Sequence, residues 1–464
     1  MSVSPHASSG SLPRLLSDVP AEGAMSFDEH LSVHGPLPAV GGDPRAAADL
    51  IEEIRLSGLG GRGGAGFPTA VKLDAVARSR GRAVVVLNAA EGEPASRKDR
   101  VLMRSLPQLL LDGGILAAEA LGSDELIVCA CDRDDLGLVA TALATRRYPG
   151  RRGDHVRVRF ELVPHSFLSG EETALVRSLN GGPALPTFAP PRPGERGVQG
   201  RPTLVCNAET LAHVAMIARG GGAWFRQLGT EREPGSALVT LSGPVARPGV
   251  YEIERGAALV SLLEVAGGTT AQLRAALIGG YGGTWIGAEA FDDLRLCSED
   301  LAPHGAALGA GVIALLDADA CPVAETRRLV AWLAHESSGQ CGPCVNGLHA
   351  SSDTLGRLVS GCAHADDSGE LLRLMSLTRF RGACRHPDGV VQMLDSALAV
   401  FAEELADHSM HGPCYACQAR PRLPLPAATP PARPGRRGAP ARQGRRGSSS
   451  ARGRRDEDER RVPA

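Results

Sequence analysis

The 464-residue chain reads as an α/β protein with a mainly parallel sheet, followed by a small α+β unit and a C-terminal helix bundle. Three observations predict this. Between residues 46 and 232, amphipathic helical segments alternate with bare apolar runs, the rhythm of parallel strands joined by helical crossovers. Near Gly235 the rhythm changes to short strands split by Pro-Gly turns, SALVTLSGPVARPGVYEI. From Pro322 onward only helical spacing is left, as in Val390, Met393, Leu394, Ala397 and Phe401.

Taken in order, residues 1–45 carry weak periodicity and are expected to form a loose arm. DPRAAADLIEEIRLSGL then predicts a helix, with Leu50, Ile51, Ile54 and Leu56 as most of its apolar stripe. A glycine run, the helical piece AVKLDAVARS and the bare strand AVVVLNAAEGEP follow; LPQLLLDGGILAAEAL, ELIVCAC and VRVRFELVP continue the alternation. PALPTFAPPRPGERGVQGRP is a long proline/glycine loop, and in a compact domain such loops usually serve function. Residues 235–320 make the α+β unit, with AALVSLLEVAG as its helix, and 322–410 the bundle. From 418 to 464 the chain is Pro/Gly/Arg/Ser-rich and expected to be disordered.

Composition narrows the function classes. Apolar residues are 43% and charged residues 22%, values of a soluble globular protein. No run of about 18 apolar residues suggests a membrane span, and no secretory signal is legible, so a cytoplasmic location is expected. Arg420–Ala464 holds 13 arginines against four acids, +9, which leaves −11 on Met1–Ala419. The tail lacks aromatic residues to stack on bases, so no nucleic-acid partner is expected. Lys72 and Lys98, the only lysines, both fall between Gly58 and Arg100. A compact ammonium is not interchangeable with a guanidinium fork, so this segment is a candidate charged site. Eleven cysteines in a cytoplasmic chain favour metal or redox chemistry over disulfides. Two C-x-x-C pairs, Cys341/Cys344 and Cys414/Cys417, lie in the last third with Cys362 and Cys384. Cys129, Cys131, Cys206, Cys297 and Cys321 stand singly and read as small buried hydrophobes.

Four polar clusters could bind a ligand. GLGGRGGAGFPTAVK lets the backbone approach a phosphate closely, with Arg62 and Lys72 adding charge. LNAAEGEPASRKDR ends a buried strand, where ligands of open α/β sheets sit; it offers Asn88, Glu91 and Glu93. SGEETALVRSL starts a helix, with Gly170, Glu171 and Glu172 at its first turn. RPTLVCNAETLAHV places Asn207, Glu209 and Thr210 at another helix entrance.

Together, in this order, these segments resemble the NADH-binding flavoprotein subunit of respiratory complex I and the related diaphorase subunits of NAD-linked hydrogenases and formate dehydrogenases, from about Leu56 to Leu405. The resemblance implies a Rossmann-like FMN/NADH domain, a ubiquitin-like SLBB unit and an iron–sulfur bundle. It implies that Gly61, Arg62, Gly63, Gly64, Lys72, Asn88, Glu91, Gly170, Glu171, Asn207 and Thr210 surround FMN. Phe67, Glu93 and Glu172 would face NADH, with Glu93 and Glu172 orienting the nicotinamide. ESSGQCGPCVNG matches the family's cluster motif except that Ser338 stands where the first cysteine is expected. Cys341, Cys344 and, from RFRGACRHPDG, Cys384 remain as ligands of a [4Fe–4S] cluster. The fourth corner stays open between Ser338, Cys362 and the Cys414/Cys417 pair, with a [3Fe–4S] cluster, zinc shared by the two C-x-x-C pairs, or no metal as further options. Family aromatic positions that clamp adenine are replaced, with Ala75 after Lys72 and Arg192 within APPRP. The implied activity is that of an NADH dehydrogenase or diaphorase-type oxidoreductase passing single electrons to a protein subunit or ferredoxin-like acceptor, peripheral to a membrane complex where one exists. The alternatives are a non-catalytic electron-transfer or docking relative and a zinc-stapled interaction protein.

Overall fold

The apolar runs become two sheets in a computed structural model of the chain, which describes residues 12, 14–20, 22–147, 156–364 and 366–426. The basic stretch from 427 onward lies outside the described residues. Ahead of the first sheet, α1 (Phe27–His34) starts at Ser26, whose hydroxyl accepts the Glu29 N–H while the Glu29 carboxylate accepts the Ser26 N–H. Within the arm expected to be loose, the described stretch 14–20 is packed. Leu15 and Leu16 are fully buried, and the Glu252 carboxylate accepts the Arg14 and Leu16 N–H groups. The segment folds as turns pinned by single apolar side chains, so no repeating face marked it in the sequence.

Helix α2 (Pro44–Ser57) is capped by Asp43 and closed by Gly58 at φ 70. It buries Leu50, Ile51 and Ile54; Leu56, expected on the same stripe, points to solvent at 56% exposure because Ser57 occupies the inward position. There follow α3 (Thr69–Ala77), β1 (Val84–Ala89), α4 (Lys98–Ser105), α5 (Pro107–Ala120), β2 (Glu125–Ala130), α6 (Arg133–Thr145), β3 (Arg157–Leu162), α7 (Glu172–Leu179), β4 (Thr203–Asn207) and α8 (Ala208–Phe225). The strands pair in parallel in the order β3-β2-β1-β4, with Asn88 opposite Cys129 and Asn207. From β1 the chain steps outward to β2 and β3, then returns to place β4 on the other side of β1. That reversal opens a crevice at the carboxyl ends of β1 and β4, the place where such sheets take ligands.

The second sheet is mixed: β5 (Ser236–Ser242), β6 (Gly249–Glu254), β7 (Leu273–Ile278), β8 (Thr284–Gly287) and β9 (Val312–Asp317), in the order β6-β5-β9-β7-β8. β5 and β9 are the parallel pair, and α9 (Leu259–Val265) covers one face with Leu259, Leu262 and Leu263. α10 (Ser298–Leu301) precedes β9. The bundle comprises α11 (Pro322–His335), α12 (His349–Ser360), α13 (Asp367–Thr378), α14 (His386–Val400) and α15 (Ala402–His411). Its core is continuous with the other face of the second sheet, where the Trp285 and Phe401 rings meet edge-on at 5.2 Å. Among the described residues no single helix is long and apolar enough to cross a membrane; α4 and α5 reach that length and apolar content only together, across a bend of 100°, and α5 is buried in the α/β core.

Candidate functional site

The glycine run forms the loop between α2 and α3. Its base is closed by the Gly61 N–H donating to the Phe67 carbonyl at 2.9 Å. Gly64 and Gly66 have φ of 116° and 63°, and a Cβ at either would meet nothing within 4 Å, so these residues are glycines for backbone conformation. Gly63 lies against Asn207, where a Cβ would approach the Asn207 Cβ to 3.2 Å. Arg62 was expected to offer charge to a ligand. Its guanidinium instead turns inward to the Ser236 carbonyl (2.9 Å) beside Glu209, and burial draws its pKa down to about 10. Its backbone N–H donates to the Thr210 hydroxyl at 2.8 Å. Arg62 and Thr210 therefore fasten the loop to α8 and β5.

At the carboxyl end of β1, the Asn88 amide donates to the Gly170 carbonyl (2.8 Å) and its side-chain oxygen accepts the Ala90 N–H (3.1 Å). Glu91 accepts from the Ser96 hydroxyl and from the Asp99 and Arg100 N–H groups, anchoring the start of α4; burial and then the nearby Asp99 raise its pKa. Glu93 accepts the N–H groups of Tyr281 (2.9 Å) and Ala95 (3.4 Å). Desolvation outweighs those bonds and lifts it to about 7. At the end of β4, Asn207 caps α8, donates to Asp99 (2.6 Å) and accepts from Lys98 (3.1 Å). Lys98 also meets Asp99 and Glu209 at 2.9 Å each, all three buried. Burial opposes the Lys98 charge, but the two carboxylates outweigh it and hold its pKa above the ordinary lysine value, while Glu209 falls to about 2. Sequence reasoning did not place Lys98, Asp99 or Glu209 among the cofactor-binding residues, although the rarity of lysine had marked Lys98.

Glu171 is the N-cap of α7, accepting the Thr173 and Ala174 N–H groups at 3.0 and 2.9 Å. Gly170 lets that turn press on β1, since a Cβ there would lie 2.6 Å from the Ala90 carbonyl oxygen. Glu172 and Lys72 are brought together elsewhere: they pair at 3.0 Å beside the Val205 carbonyl, both about one-third exposed, and neither lines the crevice. Phe67 is 46% exposed and also stands outside the lining.

The crevice is a cleft of about 800 Å³ walled by all three parts of the chain. Gly63–Ala65, Asn88, Glu91, Glu93, Glu171 and Asn207 come from the first sheet, Gly279, Gly282 and Gly283 from the second, and Cys384, His386 and Asp388 from the bundle. The volume, the glycine wall and the ring of amide and carboxylate groups suit a flavin mononucleotide. His386 adds a buried Nδ1 with no hydrogen-bond partner. Phe380 also lines the cleft, 75% exposed and at φ 58, and no periodic signal marked it.

From Cys384 in this wall the cleft adjoins the other two motif cysteines, since Cys341 and Cys384 both lie near enough to Cys344 to act on its charge. Cys344 is buried, and desolvation together with the Cys341 and Cys384 thiols pushes its pKa up to about 12. Crowded thiols that resist ionising singly suit a cationic cluster, which relieves the penalty. Cys344 sits in a π-helical turn, Pro343–Leu348, that leads into α12. Cys384 also feels Glu171, which ties the thiol group to the cleft. Ser338, half-buried, lies in the turn after α11, and Ser337 hydrogen-bonds Cys344. Cys362 is exposed at the far end of α12, its thiol on the Ser360 carbonyl. Zinc shared between the two C-x-x-C pairs is corrected by this arrangement: Cys414 and Cys417 gather with Cys321 and His408, because the chain turns back beside the start of α11.

Comparison with known proteins agrees with this geometry segment by segment. Residues 54–216 match the Nuo51 FMN-binding domain, 238–284 the SLBB domain and 324–408 the NADH-ubiquinone oxidoreductase-F iron–sulfur binding region. The NADH-quinone oxidoreductase-F protein of Mycobacterium tuberculosis (strain ATCC 25618 / H37Rv) is 34% identical over 384 residues, 79% of this chain and 86% of that one. Its counterpart in Escherichia coli (strain K12) is 34% identical over 379 residues, 77% and 83% of the two chains. Among solved structures, a chain of the NAD+-reducing [NiFe]-hydrogenase in the H2-reduced state superposes with a TM-score of 0.76 at 31% identity, over 86% of this chain and 67% of that one. The same enzyme in the air-oxidized state gives 0.71 at 33%, over 83% and 64%, so this chain spans about two thirds of those chains. With FMN-binding, SLBB and iron–sulfur segments in the same order and on the same fold, the chain belongs to the NADH-quinone oxidoreductase-F family.

Proposed function

We propose that the chain is a working NADH dehydrogenase component, with FMN and the nicotinamide nucleotide in the cleft and the iron–sulfur cluster held by Cys341, Cys344, Cys384 and Ser338. The observation that carries this reading is the position of Cys384, which lines the cleft and also belongs to the thiol group. FMN, when bound, accepts a hydride from NADH and releases electrons one at a time to a cluster, chemistry that no side chain supplies.

The chain's own residues provide placement. Gly63–Ala65 present backbone to the ligand, and Asn88 and Asn207 are held rigid by the Gly170 carbonyl and by Lys98 and Asp99. The buried Lys98–Asp99–Glu209 network fixes the floor of the cleft, where low local dielectric strengthens each bond. Glu93, lifted to about 7, is close to half protonated at pH 7, so its carboxyl at the cleft wall can both donate to and accept from the nicotinamide amide that it positions. Glu172 acts from outside the lining, where it neutralises Lys72. The acceptor is an electron-accepting protein subunit or ferredoxin-like partner, and the chain works on the cytoplasmic side, peripheral to any membrane assembly.

Anaerobic purification followed by NADH titration tests this reading. Stoichiometric FMN that bleaches on NADH addition, with an EPR signal from a reduced cluster, is the expected result. Colourless protein that takes up no FMN on reconstitution overturns it. Flavin that stays oxidised with NADH favours a second reading, a non-catalytic electron carrier. The observation behind that reading is the exposed Phe67, with Ala75 and Arg192 in place of aromatic clamps.

A further inference from the structure

The second C-x-x-C pair makes a site of its own. Cys414 precedes and Cys417 lies within a single 3-10 turn (Tyr415–Gln418) after α15, and the pair gathers with Cys321 and His408. Cys321 is the N-cap of α11, where its sulfur accepts the Ala324 N–H at 3.3 Å. His408, from the last turn of α15, is 2% exposed. The Cys321 and Cys417 sulfurs are 3.4 Å apart and those of Cys414 and Cys417 3.7 Å. His408 Nε2 lies 3.8 Å from the Cys321 sulfur and 3.7 Å from that of Cys417. All four ligand atoms fall within 4.8 Å of one another.

These separations have a chemical meaning. Zinc–sulfur bonds of about 2.3 Å and zinc–nitrogen bonds of about 2.0 Å at tetrahedral angles put sulfurs about 3.8 Å apart and sulfur and nitrogen about 3.5 Å apart. The four separations given above match that shell to within a few tenths of an ångström, and the other two are no longer than 4.8 Å. A disulfide needs its sulfurs at about 2.05 Å, and the three cysteines of the group are free thiols. A cubane cluster holds its thiolates at separate corners around iron and sulfide, which a group this tight leaves no room for. Cys321, Cys414 and Cys417 also fall outside residues 324–408, the segment matched to the iron–sulfur region.

We propose that Cys321, His408, Cys414 and Cys417 bind one zinc ion in a closed Cys3His shell that staples the returning C-terminal segment to the bundle. Four protein ligands leave no open position, so the role is structural. The staple sits where three pieces of chain converge: the exit of β9, the end of α15 and the segment beyond Cys417. That segment continues into buried Leu423, and the Arg422 N–H donates to Glu325 of α11 at 2.9 Å. The Tyr281 hydroxyl donates to the Pro424 carbonyl, and the Tyr281 N–H holds Glu93 of the cleft. The zinc end and the flavin cleft are thus joined through one tyrosine.

Metal analysis of the full-length, cofactor-loaded protein tests the assignment. About one zinc per chain is expected beside the iron of the cluster. The double variant C414S/C417S loses that zinc and keeps its iron and FMN. Should the variant fail to fold, wild-type protein produced with cobalt supplies the readout, through tetrahedral cobalt–thiolate bands to the red of the flavin absorption. Absence of both zinc and cobalt bands, an isolated Cys414–Cys417 disulfide, or loss of iron rather than zinc in the double variant each overturns the proposal. Because zinc is read independently of flavin bleaching, its failure leaves the NADH reading untouched.

Discussion

Glu93 has two backbone N–H bonds to favour its charge and a desolvating wall against it, and the wall prevails. The folded chain therefore keeps this proton between about pH 4.5 and 7, where the unfolded chain has released it. Stability must fall as pH rises through that window, by at most ~3 kcal/mol and by less as solvent reaches the carboxyl. Denaturant midpoints at the two ends of the window check this: Glu93→Gln is expected to flatten the slope and to raise the KM for NADH more than it lowers kcat. Ser338 carries a second prediction. With its hydroxyl completing the cluster, Ser338→Cys changes the EPR line shape and slows iron loss to a chelator, whereas Cys362→Ala, at an exposed thiol just beyond the end of α12, changes neither. At this scale the sequence was informative about residue types and poor about direction. It marked Arg62 as a charge for the ligand, and only the fold shows the guanidinium turned to Ser236. It marked Lys72 and overlooked the network of the other lysine, because Asp99 and Glu209 are far apart in the chain and nothing local pairs them.

Among the elements, the turn entering α7 presses closely on the chain that leaves β1. Gly170 meets the Ala90 carbonyl and Gly92 meets the Ser166 carbonyl, where a Cβ would come to 2.6 and 2.4 Å. Gly170→Ala therefore cannot be absorbed by a side-chain rotation; it forces α7 away from β1 and breaks the Asn88–Gly170 bond. A loss of about 1–3 kcal/mol of stability is expected, with a larger proportional loss of FMN affinity, read by thermal melting and by flavin retention on gel filtration. Most elements were legible because their signals are local. Asp43 before α2, the Pro-Gly turn between β5 and β6 and the helical spacing of α14 each announce themselves over a few residues. The packing at 14–20 was not legible, since the carboxylate that holds the Arg14 and Leu16 N–H groups, Glu252, lies more than 200 positions away.

For the whole molecule, three segments that read as separate units in sequence share one cleft. The order and class of those units followed from periodicity. Their convergence did not, since Gly279–Gly283 and Cys384–Asp388 carry no sign of facing Asn88. One prediction belongs at this scale. A fragment ending near residue 232 keeps its parallel sheet and helices by circular dichroism, yet retains no flavin, while the full chain does. Retention of stoichiometric flavin by the fragment would show that the first sheet alone forms the pocket.

The bond from the Tyr281 N–H to Glu93 also bears on biogenesis. Residue 281 leaves the ribosome nearly two hundred residues after the carboxylate it must restrain. A nascent chain that has finished its first sheet still has an open, wet binding surface there. Cofactor insertion is then a late event, and the yellow colour of a preparation reports docking of the second sheet against the first.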